Sequence, residues 1–124
     1  MEMIVVVIMI SILAAVAIPN FQRANEQGYW RSSNNVLQTV YSGEQVYRTS
    51  NNSYVNPAGC AQPWRCIYMD NPNGVLPVTF TVAAAANTFT VTATRNGGGA
   101  CNGRTQTMNE NRVVGGTWPL NGAC

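Results

Sequence analysis

The chain has 124 residues, enough for one domain and an appendage. Charged side chains make up only 10% of it, so solubility rests on Asn, Gln, Ser and Thr, and seven scattered arginines without a lysine form no basic patch for nucleic acid. There is no histidine, which removes the commonest general base and the commonest metal ligand together.

The first element in chain order is an apolar run from Met3 to Ile18, interrupted only by Ser11 and preceded by a single acid, Glu2. As a helix it spans roughly 24 Å, slightly short of a hydrocarbon core of roughly 30 Å. No basic segment precedes it, and AVAIPNF is a poor cleavage site, so the run is expected to be retained as a membrane span. Ser11 is placed to bond back to the carbonyl of Val7 or Ile8. Pro19 cannot donate its amide, so the turn from Ala15 to Ile18 is expected to be kinked or easily unwound. Two readings stand side by side: Pro19 marks where a span leaves the membrane, or Ser11 to Pro19 melts on assembly. An ionised Glu2 in hydrocarbon is costly unless it is paired or reaches interfacial water.

Helical periodicity continues past the proline. Tyr29, Ser33, Val36, Val40, Gly43 and Tyr47 recur at steps of three or four, with Leu37 and Tyr41 widening the stripe. One helix from Met1 to about Thr49 is predicted, apolar all round at first and amphipathic afterwards. At roughly 70 Å it is far longer than the domain it serves.

Ser50 to Asn73, rich in Asn, Pro, Gly and Ser, reads as a long loop. Val78–Val82 and Thr88–Ala93 alternate apolar residues with threonine and predict an antiparallel hairpin around Ala83–Asn87, one face on the helix. Asn96–Gly99 is a turn, Thr105–Asn109 a further strand, and Cys66–Met69 a candidate short fourth strand. The tail from Asn111 to Cys124 reads as irregular. Cys60, Cys66, Cys101 and Cys124 form no CxxC pair and match no zinc spacing. Their even number predicts two disulfides and an oxidising compartment, with free buried thiols as the alternative. Three pairings are possible. Nearest neighbours, Cys60–Cys66 and Cys101–Cys124, are expected to contribute about 2 and about 3.5 kcal/mol.

No catalytic constellation is visible. NGGGACNG lacks the GKS or GKT and the helix of a phosphate loop and reads as a turn. Asp70 beside Asn71 and Asn73 offers oxygens of the kind calcium takes, but a lone carboxylate among asparagines is the pattern of a turn. Trp30, Trp64 and Trp118 read as core or interface anchors. With no nucleophile, base and oxyanion donor in sight, no enzyme, metal or cofactor is predicted.

The stretch MEMIVVVIMISILAAVAIPNF resembles the mature N terminus of the type IV pilins and their pseudopilin relatives, from its glutamate through ILAAVAIP to Asn20 and Phe21. The match covers about a sixth of the chain. It implies that three mature residues and a basic leader ending in glycine precede Met1. It implies an α+β pilin fold, a long N-terminal helix packed on a small antiparallel sheet, divided into residues 1–24 (membrane anchor, then filament core) and residues 25–124 (head). It implies that Glu2 neutralises the N-terminal amine of a neighbouring subunit and sets axial register, and that the disulfide-bounded C-terminal region faces outward. The expected partners are identical subunits in a homopolymer, the inner membrane before assembly, a prepilin peptidase and a pilus assembly machinery. The expected location is an extracellular filament serving adhesion, motility or DNA uptake. A type II secretion pseudopilin is the runner-up, with the two disulfides and the missing acidic calcium loop against it. A minor DNA-binding pilin needs Arg95, Arg104 and Arg112 on one exposed strip. A membrane-anchored periplasmic domain that never polymerises leaves Glu2 dispensable.

Overall fold

The computed structural model describes residues 1–124. Its first element, helix α1, runs from Glu2 to Asn51, about 75 Å at the usual rise. The sheet comprises β1 (Val78–Ala84), β2 (Phe89–Arg95), β3 (Thr105–Asn109) and β4 (Val114–Gly116), antiparallel throughout in the order β1-β2-β3-β4. The molecule is therefore α+β, one long N-terminal helix packed on a small antiparallel sheet.

Helix α1 ends where Asn52 takes a left-handed conformation and its amide bonds the Arg48 carbonyl at 2.7 Å. Pro19 lies inside the helix without ending it, and Ala15–Ile18 are helical in the single subunit. A proline removes one amide from the ladder, and a helix this long keeps its hydrogen bonds on both sides of the gap. Ser11 Oγ donates to the Val7 carbonyl at 2.8 Å, one of the two back-bonds anticipated.

Alternation decides the faces of the sheet. Val78, Phe80 and Val82 of β1, Phe89, Val91 and Ala93 of β2, and Gln106 and Met108 of β3 point inward. The outward positions are largely threonine and pair across strands, Thr79 with Thr94, Thr81 with Thr92, and Thr92 with Thr107. This is how a chain poor in charge keeps the face of its sheet wet. Two elements differ from expectation. Cys66–Met69 is not a strand, because Arg65–Ile67 forms a 3-10 turn flanked by left-handed Trp64 and Tyr68. The fourth strand comes instead from the tail, where Gly116 adopts a φ of 108° and a side chain there would meet the Thr105 backbone.

The helix meets the head along Ser33, Leu37, Val40, Gly43 and Glu44, all buried. Gly43 admits the 3-10 turn, since a Cβ on it would stand 2.3 Å from the Ile67 carbonyl oxygen. Cys60 joins Cys66 and Cys101 joins Cys124, the nearest-neighbour pairing. Tyr54 packs edge-on against Phe89 at 4.7 Å, with the Arg48 guanidinium over its ring and on its hydroxyl.

Glu44 is fully buried. Its Oε2 accepts the Val55 amide at 3.0 Å, which fastens the chain leaving the helix, while Oε1 has no partner. Burial pushes this carboxyl up to about 7, and the Val55 hydrogen bond opposes the shift. A folded-state value above the unfolded one means that the folded chain binds the proton more tightly. The resulting stability is fully present below about pH 4.5 and lost as the pH rises through about 7. In detergent, stability against thermal unfolding is therefore expected to fall by roughly 3 kcal/mol between pH 5 and 8, and Glu44→Gln is expected to flatten that slope. An unchanged slope in the variant would assign it to another group.

Candidate functional site

Every residue from Met1 to Asn25 is exposed. The apolar run thus projects from the head as a bare helix, with Ile12, Leu13, Val16 and Phe21 each about 60–70% accessible. Its best window has a mean hydropathy of 2.6 and none of it is buried, so α1 is long and apolar enough to cross a membrane. The all-round apolar character that keeps the run off the sheet is what suits it to lipid or to a bundle of its own kind. Single exposed apolar residues are ordinary on a protein surface. A continuous helical surface of this size marks an interaction site.

Glu2 occupies the first turn of α1, where its charge complements the helix dipole. It is the only acid before Glu26 and makes no hydrogen bond or ion pair within the subunit. The nearest cationic side chain in sequence is Arg23, about 31 Å along the helix. Ser11 and Pro19 lie between them on the bare segment, exposed and helical.

At the throat where α1 enters the head, the structure builds a polar clamp. Arg95, at the end of β2, reaches Glu26 on α1 with Nε at 3.1 and 3.2 Å from the two carboxylate oxygens and Nη2 at 2.7 Å. Both side chains are largely buried, and the guanidinium also lies 5.0 Å from the Tyr29 ring centre. The C-terminal loop closes on the same turns. Trp30 Nε1 donates to the Trp118 carbonyl, Gln27 Nε2 donates to the Asn121 carbonyl, and Gly122 sits against the Arg23 backbone. Pro19, Arg23, Glu26, Arg95 and Cys124 help line an open cleft of about 600 Å³ there.

The arginines of the C-terminal half form no single exposed strip, although the Arg95 amide bonds the Arg104 carbonyl at 2.8 Å. Arg95 is enclosed by the clamp, Arg104 is exposed just before β3, and Arg112, beyond the far end of β3, donates to Gln38 and lies over Tyr41. Asp70 pairs with Arg65 at 3.2 Å on the surface, and Asn71 caps the Asn73 amide as a turn. Sequence reasoning missed Glu26 and Glu44. Both sit on the inward stripe, at helical spacing from Tyr29, Val40 and Tyr47, so a carboxylate in phase with an apolar stripe was the available signal.

No family model, curated protein or solved structure matches the chain.

Removing one partner of the clamp leaves the other charge buried and unpaired. Arg95→Met is expected to lower stability to urea by about 3 kcal/mol, and Glu26→Leu/Arg95→Met by less. A double variant as unstable as the single one would make packing, rather than charge, the function of the pair.

Proposed function

We propose that this chain is the structural subunit of a type IV pilus-like filament, held in the inner membrane by α1 before assembly and packed through α1 afterwards. The observation that carries the reading is the bare apolar helix tipped by one partnerless acid. A helix serving only as an anchor needs no carboxylate at its apolar end. In a dry bundle, a buried carboxylate and a neighbour's N-terminal amine are each costly alone and tolerable together, which favours one axial stagger over others. The motif resemblance and the α+β arrangement support the same reading.

Apolar burial provides the cohesion. At about 25 cal/mol per Å², covering a helix of this length provides tens of kcal/mol gross, much of it offset by leaving the lipid. The role is structural rather than catalytic. Its partners are identical subunits together with the maturation peptidase and assembly machinery that the resemblance implies, and its destination is the cell exterior. Reading the chain as a DNA-binding minor pilin loses support because the Arg95 guanidinium is enclosed with Glu26 and Arg112 is held by Gln38, away from Arg104.

Cryo-EM of material sheared from cells expressing the full-length precursor tests the proposal. Filaments containing this chain are expected from the wild type, and few or none from Glu2→Ala. A chain that stays in the membrane fraction, with no filament containing it, would leave an anchored domain in place of a polymer subunit.

A further inference from the structure

The far side of α1 from the sheet carries a second uncovered surface. Arg31, Asn35, Thr39, Ser42 and Val46 are its exposed positions, at steps of four and three, which makes one straight stripe. Arg31 heads the stripe and, like Glu2, makes no hydrogen bond or ion pair within the subunit. Between Arg31 and Arg48 the only charged residue is the buried Glu44. The stripe is polar in composition, but its two hydroxyls need nothing from a partner. Thr39 Oγ1 donates to the Asn35 carbonyl at 3.0 Å and Ser42 Oγ to the Gln38 carbonyl at 3.1 Å. Both hydroxyl protons are therefore already satisfied by the helix itself, so an apolar partner can cover them without orphaning a donor.

The bare end of the helix has the complementary pattern. Glu2 heads an uncharged run that reaches Gln22. Glu2, Val6, Met9, Leu13 and Val16 fall on one face at steps of four and three. Set parallel at an offset of about 29 positions, or about 44 Å, Glu2 stands level with Arg31 and Leu13 level with Ser42. There the stripe widens into a shallow groove of about 310 Å³ lined by Thr39, Ser42, Gly43, Val46, Ile67 and Tyr68. Arg23, the other cation nearby, lines the throat cleft with Glu26 and Arg95, so Arg31 alone heads this stripe.

We infer that the stripe from Arg31 to Val46 is the docking surface for the bare helix of a second copy of this chain, with Glu2 of that copy paired to Arg31 at an axial stagger of about 44 Å. The inference rests on the filament reading and adds a particular partner and register to it. The carboxylate has two oxygens, so pairing with Arg31 leaves one for a neighbour's amine. The bond also reads register along the stripe, since one helical turn of slip carries the acid about 5 Å from its guanidinium.

Cysteine cross-linking in cells expressing the full-length precursor tests the register. A disulfide needs Cβ atoms about 4 Å apart, and Asn35 lies about 10 Å along the stripe from Ser42. Leu13→Cys with Ser42→Cys is expected to give at least roughly tenfold more linked subunits than Leu13→Cys with Asn35→Cys. Arg31→Glu is expected to abolish the link and Arg31→Lys to keep it. Filaments in which the two cysteine pairs link equally or not at all, or in which Arg31→Glu leaves the link intact, would overturn the docking surface and leave the filament standing. Absence of both filaments and intersubunit links would overturn the filament reading, and this inference with it.

Discussion

A helix of fifty residues cannot be covered by the head that this chain builds, and the rest of the structure follows from that mismatch. The sheet and loops reach only from about Glu26 onward, which leaves a helical surface made of little but Ile, Val, Leu, Met and Ala. Such a surface is stable only in lipid or against other protein. The head therefore has two tasks. It must stay soluble with few charges, which its outward threonines achieve, and it must grip a helix whose other half is pulled by a different environment.

The grip differs along the helix. At the throat it is polar and directional, a guanidinium holding a carboxylate while the C-terminal loop hydrogen-bonds to the same turns. In the middle it is apolar, with Leu37 and Val40 fully buried, and beyond them Gly43 lets the Ile67 backbone approach closer than a side chain allows. At the far end the carboxyl of Glu44 holds the backbone that turns away from the helix. Polar contacts at the two ends fix rotation and register, and the apolar contacts between them supply most of the stabilisation.

Much of this was legible in the sequence, because apolar period reports burial directly. The long helix, the threonine-alternating hairpin and the strand at Thr105–Asn109 were predictable from local pattern. What escaped depended on tertiary partners. Val114–Gly116 has no alternation to announce it and becomes a strand only because β3 offers an open edge. Cys66–Met69 has strand-like residues, but the disulfide loop and two left-handed residues tighten it into a turn. At the candidate site, Glu2, Ser11 and Pro19 were legible through motif and hydropathy. Glu26 and Arg95 lie 69 positions apart, and no periodicity in one segment reveals the other.

Asn73 has a consequence of another kind. Its side chain accepts the Phe80 amide at 2.7 Å and donates to the Phe80 carbonyl, as a neighbouring strand would. It therefore occupies the middle of the outer edge of β1, while the opposite edge of the sheet is a three-residue strand containing two glycines. Open edges recruit strands from other molecules, and the hazard grows with crowding. In the proposed membrane-held state, with head domains side by side, that hazard would be continuous. With one edge plugged by an amide and the other too short to template a partner, the head is poorly suited to joining its neighbours sheet to sheet. In the proposed filament, association would then fall to the helix.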